Sequence, residues 1–358
     1  MTNRSPWTPL HAQVHRLLKA RKLLERNQRL LVAVSGGQDS LCLIKLLLDL
    51  QPKWNWQLAI AHCDHRWRLD SAANADYVEQ LAQTWQLPFY RLTATQIPTS
   101  EADARQWRYQ VLTAIAQANR YQSIITGHTA SDRAETLLYN LIRGSGADGL
   151  QALTWQRLLS PGLTLVRPLL EVTRAETAQF CQDHQLTVWE DVTNQVLKYA
   201  RNRIRQELLP YLQTHFNPQV ERALAQTTEI LQAEVEYLET ATSDLLQQAA
   251  PSLIVDGRTL PPQELATNQL KLNRQVLGSA PLALQRRAIR RVLQQILPCA
   301  PDFEQIEKVT ALITAPNRCR TDPFPGGAIA EVDGDWIRLI YHPIKKPPVQ
   351  ELDFPSTS

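Results

Sequence analysis

The sequence Leu30-Leu31-Val32-Ala33-Val34 is an apolar run that leads directly into Ser35-Gly36-Gly37-Gln38-Asp39-Ser40. Uninterrupted apolar residues over this length predict a strand that is buried on both faces, as in parallel sheets. The next apolar residues recur at helical spacing, at Leu41, Ile44, Leu47 and Leu48. The segment therefore predicts a strand, a Gly-Gly turn and a helix whose positive dipole end faces the turn.

The Gly-Gly turn is suited to binding an anion. Backbone N–H groups at a helix start converge on one spot, and the two glycines let a ligand approach without a Cβ in the way. The loop differs from a Walker A loop, because the first lysine after the glycines is Lys45, inside the helix. Asp39 adds a negative charge, which predicts contact with a bound Mg²⁺ or with a donor group. The alternative is a plain glycine-rich turn.

The composition predicts a globular chain of two or three domains. Of its 358 residues, 44% are hydrophobic and 20% are charged, and the formal net charge is +3. We recognise no signal peptide and no run near the ~18 apolar residues that a membrane span needs. The five cysteines are scattered without a Cys-x-x-Cys pair, which argues against zinc, an iron–sulfur cluster and a disulfide framework. We expect a cytoplasmic protein without membrane contact.

Three basic clusters indicate a polyanionic partner despite the small net charge. The first lies within residues 1–30, where seven Lys or Arg face a single acid, Glu25. The second and third clusters consist of Lys198, Arg201, Arg203 and Arg205, and of Arg286, Arg287, Arg290 and Arg291. Any one cluster is equally well explained as a solvated helix face, but three together favour a polyanion.

Up to about residue 145, strands and helices alternate along the chain. Further strands are predicted at 58–61, 88–92 and 123–126, and helices at 71–85, 101–119 and 131–143. This alternation predicts a parallel sheet with helices on both faces. Polar loops follow three of the strands, at Ser35–Ser40, His62–Arg68 and Gly127–Asp132. Because ligands bind at the carboxyl ends of parallel strands, we expect these loops to form one crevice.

The second half of the chain is predicted to be mostly helical. A hinge is expected around Pro218, followed by helical patterns at 219–249, 282–297 and 303–313. Two short strands flank Asp333-Gly334, which is a hairpin signal. We therefore predict a catalytic α/β domain at 1–214, a mostly helical domain at 215–345 and a tail at 346–358.

Two carboxylates are candidates for holding a cation. Asp132 and Glu135 lie on adjacent turns of the helix that Ser131 is predicted to cap, and Asp132 is near its positive end. Together they suit Mg²⁺ or a substrate ammonium. On spacing alone, a capping acid and a surface glutamate explain them better.

Several basic side chains are candidates for contacting phosphate. Arg143 stands beside an exposed turn, Gly144-Ser145-Gly146, and Arg105 shares a helix face with Arg108 and Tyr109. His62 and His65 follow the second strand and are candidates for contacting adenine or phosphate. The alternatives are an exposed salt-bridged helix and packing histidines.

These motifs, in this order, resemble the tRNA(Ile)-lysidine synthase family of pyrophosphate-loop enzymes. The resemblance runs from Leu30 to about Leu212, and more weakly over 303–339. Beyond the Ser35–Ser40 and His62–Arg68 loops, it rests on Glu101-x-x-Ala104-Arg105-x-x-Arg108-Tyr109, Asp132-x-x-Glu135-Thr136, Arg143–Gly146, Arg167–Leu170, Trp189-Glu190-Asp191 with Asn194, and Tyr199-x-Arg201-Asn202-x-x-Arg205. The chain departs from the family pattern at Trp107, where an acidic or small residue is more usual.

The resemblance implies a two-step ligase with a Rossmann-like, adenine nucleotide alpha hydrolase domain and a helical C-terminal domain. The substrate would be the wobble cytidine of an isoleucine tRNA with a CAU anticodon. The C2 oxygen of cytosine attacks the α-phosphate of ATP and pyrophosphate leaves; the ε-amine of free L-lysine then attacks C2 and AMP leaves. ATP and Mg²⁺ are the implied cofactors, and the protein would be a monomer or a homodimer.

The resemblance also implies roles for single residues. ATP would be bound by Ser35, Gly36, Gly37, Gln38, Asp39, Ser40, His62, Arg105, Gly127 and His128. Asp39 would hold Mg²⁺, Asp132 and Glu135 would bind lysine, and Arg143 would neutralise phosphate charge. The tRNA would be contacted by Arg201, Arg205, Arg286 and Arg290.

Three other functions remain open at the level of sequence. A tRNA thiolase of the same loop family generally needs paired reactive cysteines, which the sequence lacks. A small-molecule amide synthetase, such as an NAD or GMP synthetase, would use the same loop. A non-catalytic RNA-binding protein with a decayed ATP site is disfavoured by the intact loop.

Overall fold

The computed structural model describes residues 7–189, 200–251, 254–255, 258–259 and 270–341. The chain divides into two compact units, residues 1–233 and 234–358. The domain boundary that we place after residue 214 stays a prediction. The predicted tail and several motif residues lie outside the described residues, namely Glu190, Asp191, Asn194, Lys198 and Tyr199.

The first unit is built on a six-stranded sheet. Its strands are β1 (Arg29–Ala33), β2 (Gln57–Asp64), β3 (Phe89–Thr93), β4 (Ser123–Ile125), β5 (Gln156–Ser160) and β6 (Leu163–Val166). The order across the sheet is β3-β2-β1-β4-β6-β5, and all neighbours are parallel except β5 and β6. This confirms the predicted parallel α/β fold.

Helices connect the strands of this sheet and continue beyond it. They are α1 (Pro9–Ala20), α2 (Gln38–Trp54), α3 (Ser71–Thr84), α4 (Glu101–Ala118), α5 (Ala130–Ile142), α6 (Ala147–Leu150), α7 (Arg174–Asp183), α8 (Ala200–Arg203), α9 (Leu209–His215) and α10 (Val220–Ala249). A π-helical turn, Ile204–Leu208, joins α8 to α9. Within the described ranges, no helix is both long and apolar enough to cross a membrane.

Strand β1 is buried on both faces, as its sequence predicts. Leu30 and Val32 are fully buried in a core that also contains Leu43 of α2. Leu31 points to the other face, where it packs in a separate cluster with Leu112 of α4. Strand β1 is central and parallel to both neighbours. The Gly-Gly turn that follows it therefore lies in the middle of the sheet edge formed by the carboxyl ends of the strands.

The start of α5 differs from the prediction. Thr129, not Ser131, is the N-cap: its side chain accepts from the Asp132 amide, and the Asp132 carboxylate accepts from the Thr129 amide. The predicted Ser131 cap is wrong because Ser131 lies within the first helical turn, where its hydroxyl donates to Glu221 Oε2 at 2.6 Å. The cap therefore fixes one carboxylate oxygen of Asp132 and leaves the other for the site.

The second unit combines helices with a small antiparallel sheet. Its strands β9 (Leu270–Asn273), β10 (Ala328–Asp333) and β11 (Trp336–Tyr341) pair in the order β10-β11-β9. Its further elements are the two-residue strands β7 (Ile254–Val255) and β8 (Arg258–Thr259) and the helices α11 (Arg274–Ser279), α12 (Leu282–Ile296) and α13 (Phe303–Ala311). The predicted hairpin is confirmed, whereas β9 was not predicted, because four residues are too short to show a clear alternation.

Candidate active site

The Gly-Gly turn between β1 and α2 is held by its own serines. The Ser40 hydroxyl donates to Gly37 O at 2.9 Å and accepts from the Ser35 amide at 3.1 Å. Gly36 has φ +88°, and a Cβ there would overlap Asn74 Oδ1. Gly37 is the N-cap of α2 and has no side chain to cap the helix, so the first-turn N–H groups face the loop. The turn has the geometry of an anion site.

Asn74 of α3 supports this turn, although no motif in the sequence points to it. Its Nδ2 donates to Ser35 O at 2.9 Å. Its Oδ1 is buried and has no hydrogen-bond partner among the described residues. Trp189 holds the other side, where its backbone N–H donates to Gly36 O at 3.0 Å. Buried acceptors without partners are rare in folded proteins, so a water molecule or a ligand donor would be needed to satisfy Asn74 Oδ1.

Gly127 and Gln38 shape the site through packing. A Cβ on Gly127 would lie 2.9 Å from the carbonyl oxygen of Asp39, so glycine lets the end of β4 approach the start of α2. The Gln38 amide donates to Arg174 O at 2.9 Å and to Thr177 Oγ1 at 3.1 Å. Its side chain therefore ties α2 to α7.

The predicted acids Asp39, Asp132 and Glu135 come together around one guanidinium, that of Arg174. Arg174 donates from Nε to Asp39 Oδ2 at 3.2 Å, from Nη2 to Asp132 Oδ1 at 2.7 Å and from Nη1 to Glu135 Oε1 at 2.6 Å. Arg205 binds the other side of Glu135, with distances of 2.7 and 2.9 Å to its two oxygens. We call these five residues the carboxylate cluster.

The carboxylate cluster keeps a negative formal charge. Three carboxylates meet two guanidinium groups, which leaves one carboxylate charge in excess. Burial would raise the pKa of Asp132, but Arg174 and the hydrogen bonds from Thr129 outweigh it and hold that pKa below its ordinary value. Burial raises the pKa of Asp39 despite the opposing charge of Arg174. The cluster is thus an acidic pocket that stabilises cations.

Arg174 is the residue that sequence reasoning missed. In the sequence it is visible only as part of a capping box, Thr173-Arg174-Ala175-Glu176, and that box does form at the start of α7. Arg205 was predicted to contact tRNA, and the structure places it against Glu135. Its role as a tRNA contact stays a prediction.

Two histidines at the strand ends are held neutral by burial. His62 is 3% exposed, donates from Nδ1 to Val34 O at 2.9 Å, and has its pKa lowered mainly by burial. His128 lies beside Thr126, with 2.9 Å between Nδ1 and Oγ1. Burial lowers the pKa of His128 to about 3, against the attraction of Asp132 and with help from neighbouring arginines. Because the one N–H of neutral His62 is used on Val34 O, its Nε2 can meet a ligand only as an acceptor.

Arginines concentrate next to this site, around the ring of Tyr109. The guanidinium carbons of Arg105, Arg108 and Arg157 lie 5.3, 5.9 and 5.1 Å from the ring centroid. Burial would raise the pKa of Tyr109, but Arg105, Arg167 and Arg108 outweigh it and lower that pKa. The predicted phosphate contact Arg105 therefore belongs to a strongly cationic group, which suits a polyanion.

The neutral state of His128 predicts a measurable pH dependence. The unfolded chain binds a proton at this histidine below its ordinary pKa of 6.5, whereas the folded chain does not until about pH 3. The free energy of unfolding should therefore rise with pH across this window, by at most about 1.4 kcal/mol per pH unit. In urea unfolding between about pH 4 and 6.5, His128→Asn should show a shallower rise than the parent chain.

His62 and His65 also have lowered pKa values, but both histidines are present in the parent chain and in His128→Asn. The difference between the two plots of unfolding free energy against pH therefore reports on His128 alone. The exposed His215 supplies the control variant, His215→Asn. Identical slopes for His128→Asn and the parent chain would contradict the assignment.

Arg143 lies away from the carboxylate cluster. It is the exposed C-cap of α5 and donates to Tyr139 Oη at 2.8 Å. Eleven residues separate it from Asp132 along the helix, which corresponds to about 16 Å. Arg201 also lies over the Tyr139 ring, at 5.4 Å. The structure thus groups Arg143 with Arg201 and not with the acids, and its predicted catalytic role stays a prediction.

The third basic cluster is paired within the second unit. Arg286 binds Glu307 at 2.7 and 2.9 Å. Glu239 accepts from Arg287 and Arg291, and Arg290 lies 3.8 Å from it. These arginines hold α12 against its neighbours, so the predicted tRNA contacts Arg286 and Arg290 stay predictions.

Comparison with known proteins places the chain in a family. The model of a PP-loop domain matches residues 8–212, and that of the TilS substrate binding domain matches residues 272–334. The tRNA(Ile)-lysidine synthase of Nostoc sp. is 67% identical over 333 residues, which are 93% of this chain and 97% of that protein. The tRNA(Ile)-lysidine synthase of Synechocystis sp. is 52% identical, over 94% of this chain and 98% of that protein.

The chain belongs to the tRNA(Ile)-lysidine synthase family. The resemblance predicted from the motifs is confirmed, and so is ATP use at the level of a PP-loop domain. Among solved structures, a U34-tRNA thiolase from Methanococcus maripaludis is similar with a TM-score of 0.53 and 16% identity, over 62% of this chain and 78% of that one. At this identity the similarity shows only the shared fold. The Gly-Gly turn described above lies within the matched PP-loop domain, and we refer to it below as the pyrophosphate loop.

Proposed function

We propose that this chain joins free L-lysine to C2 of the wobble cytidine in an isoleucine tRNA with a CAU anticodon, using ATP. The observation that carries this proposal is the position of the carboxylate cluster. Asp39 belongs to the pyrophosphate loop itself, and Arg174 connects it directly to Asp132 and Glu135. A phosphate site and a cation site are therefore adjacent. A reaction between an adenylated base and an amine requires this, because the two reactants must be held close together.

In the first half of the reaction, the pyrophosphate loop holds the leaving group. The backbone N–H of Gly36 would bind the β- and γ-phosphates, and so would the Gly37 N–H and the hydroxyls of Ser35 and Ser40 after exchanging their present bonds within the turn. The cationic group around Tyr109 would offset further phosphate charge. Adenylation turns the C2 oxygen of cytosine into a good leaving group, which the second half needs.

Asp39 fits a role in holding Mg²⁺ together with the nucleotide. Mg²⁺ is usually bound by one or two carboxylates plus substrate phosphates and water, and it neutralises phosphate charge. Among the described residues, His11, Asp49 and His184 are the group of three whose ligand atoms lie within 4.8 Å of one another, and Asp39 is not part of it. Asp39 would therefore contribute a single carboxylate, with phosphate oxygens completing the coordination.

In the second half, the acidic pocket would receive the lysine side chain. The lysine ε-ammonium has an ordinary pKa near 10.4, so it must be bound as a cation and then lose a proton before it attacks C2. Asp132 and Glu135 already bind a cation, the guanidinium of Arg174, at 2.7 and 2.6 Å. They are the groups that we propose to bind the ammonium.

The cysteines argue against sulfur transfer, the closest alternative. Cys42 and Cys181 are buried, and burial raises the pKa of both thiols, that of Cys181 to about 12. Burial also raises the pKa of Cys63 to about 12. A thiolate is the reactive form, so none of these three cysteines is activated for nucleophilic attack.

The test is product analysis with an unmodified isoleucine tRNA transcript, ATP, Mg²⁺ and lysine. We expect AMP and pyrophosphate release and a mass gain in the RNA equal to lysine minus water. A transcript with uridine at the wobble position is the RNA control, and Asp39→Asn is expected to abolish both products. ATP cleavage without lysine incorporation would point to another nucleophile, and no tRNA-dependent turnover would contradict the proposal.

We also propose that the protein is a monomer or a homodimer and that it is located in the cytoplasm. Both statements follow from the family resemblance. Sedimentation of the purified protein at micromolar concentration would decide the oligomeric state.

A further inference from the structure

Three large apolar side chains are exposed in the loops that follow β2 and β3, close to the candidate active site. Trp67 is 43% exposed, Leu69 is completely exposed, and Ile97 of the next loop is 53% exposed. Arg66 is also exposed and forms no ion pair within the described part of the chain. Large apolar side chains that cluster on a surface mark sites of interaction more often than isolated ones do.

The loop that carries Trp67 is held in a fixed conformation. Arg66 adopts φ +59°, and its amide donates to Asp64 Oδ1 at 2.8 Å. The Trp67 indole N–H donates to Pro98 O at 2.8 Å. Since its polar atom is already bonded within the protein, the accessible part of Trp67 is its apolar ring surface.

Trp67 belongs to a chain of three neighbouring rings, in which His65 lies between Trp67 and Trp107. The His65 ring lies 5.5 Å from Trp67 and 4.9 Å from Trp107, between centroids. Burial lowers the pKa of His65 to about 4, so this ring is uncharged at neutral pH. The three rings form what we call the aromatic platform. Its outermost member is Trp67, since His65 and Trp107 are only partly exposed.

The aromatic platform is joined to the active site on two sides. Asp70 ends the loop and accepts from the Trp189 indole at 2.9 Å, while the Trp189 backbone holds Gly36 of the pyrophosphate loop. Arg108 lies near enough to affect both His65 and His128 electrostatically. A strand of RNA whose cytidine enters the crevice would therefore pass over the platform.

We propose that Trp67, supported by His65 and Trp107, stacks on an unpaired base that neighbours the reacting cytidine. Arg66 and Arg108 lie beside it to meet the phosphates of that strand. Proteins recognise unpaired RNA through bases that are splayed out and stacked on aromatic side chains, next to cationic groups that follow the backbone. This inference rests on the proposed function for the identity of the RNA, and it adds the surface that holds the bases outside the crevice.

The test uses an RNA hairpin with the isoleucine CAU anticodon loop, in which 2-aminopurine replaces the adenine that follows the wobble cytidine. Stacking on Trp67 should quench 2-aminopurine when the parent protein binds. Trp67→Ala should remove the quenching and weaken binding about 5- to 150-fold, the loss expected from one base–aromatic stack. Trp67→Phe, which keeps a ring, should retain most of the affinity.

Trp7 provides the matched control. It is 46% exposed and has Lys53 at 3.8 Å over its ring, so it resembles Trp67 in type, exposure and cationic surroundings. Trp7→Ala should bind and quench like the parent chain, and both alanine variants should bind ATP normally, which shows that they are folded. Unchanged quenching and affinity in Trp67→Ala, or an equal loss in Trp7→Ala, would overturn the inference.

The binding measurement needs neither lysine nor turnover, so it separates this inference from the proposed function. If lysidine forms normally and Trp67→Ala binds RNA like the parent chain, only the platform is wrong. If Trp67→Ala loses binding and no lysine is incorporated by the parent chain, the platform stands and the assigned reaction fails.

Discussion

A Glu135→Gln variant is expected to lose lysine-dependent turnover while keeping tRNA-dependent pyrophosphate release. Glu135 is 3% exposed and accepts from Arg174 at 2.6 Å and from Arg205 at 2.7 and 2.9 Å. Truncating one partner of a buried, hydrogen-bonded charge pair between protein and ligand costs about 2–5 kcal/mol of binding, and the pair here is Glu135 with the lysine ammonium that we propose it binds. The substitution also cancels the negative excess of the carboxylate cluster, so an incoming ammonium would meet a pocket that is formally neutral.

We expect kcat/KM for lysine to fall at least about 30-fold, which corresponds to the lower end of that range. Lysine incorporation and pyrophosphate release should be measured in the same reaction, because the first half of the proposed reaction does not use lysine. Glu176→Gln is the matched control. Glu176 also accepts from an arginine, with Arg222 at 2.7 Å, but that arginine is half exposed and lies outside the cluster.

Equal loss of both products in Glu135→Gln would show that Glu135 serves the fold or the nucleotide rather than lysine. Unchanged saturation by lysine would remove Glu135 from the lysine site altogether.

The fold of the first unit was predictable because its determinants are local. An apolar run, a Gly-Gly turn and a helical repeat define β1 and α2, and the same alternation continues through β4 and α5. The convergence of Asp39 and Asp132 also followed, because the carboxyl ends of parallel strands share one edge of the sheet. These predictions need only the periodicity of short segments.

The centre of the site could not be predicted in the same way. Arg174 is 135 residues from Asp39 in sequence, and nothing near it reveals that its guanidinium reaches three acids. Its visible pattern, a capping box, is fully explained by local helix formation. The choice between Thr129 and Ser131 as the cap of α5 was likewise decided by tertiary contacts, since Ser131 binds Glu221 of α10.

Arg143 shows a different limit of sequence reasoning, in which a locally suitable motif leaves the position of the residue in the site open. A guanidinium beside a glycine-rich turn suits phosphate, and the order of motifs says nothing about distance. The rise along α5 between Asp132 and Arg143 is about 16 Å, so the two side chains belong to different neighbourhoods, and the role of Arg143 in neutralising phosphate charge stays a prediction.

A Gly36→Ala variant is expected to lose ATP binding although the protein remains folded. Gly36 has φ +88°, and a Cβ there would overlap Asn74 Oδ1, the acceptor that has no partner among the described residues. Asn74 or the loop must then move. Movement of the loop turns the Gly36 and Gly37 N–H groups away from the phosphates that we propose they bind.

Hydrogen bonds to charged groups contribute about 1.5–3 kcal/mol each, so the loss of two should weaken ATP binding about 100-fold or more. Gly162→Ala is the control that separates this effect from backbone strain. Gly162 has φ +78° in the turn between β5 and β6, and a Cβ there would meet nothing within 4 Å. Both variants should lose about 1–2 kcal/mol of stability from the left-handed backbone, but only Gly36→Ala should lose ATP. Isothermal titration with a non-hydrolysable ATP analogue measures the difference, and equal affinities in the two variants would mean that the loop does not bind phosphate through its backbone.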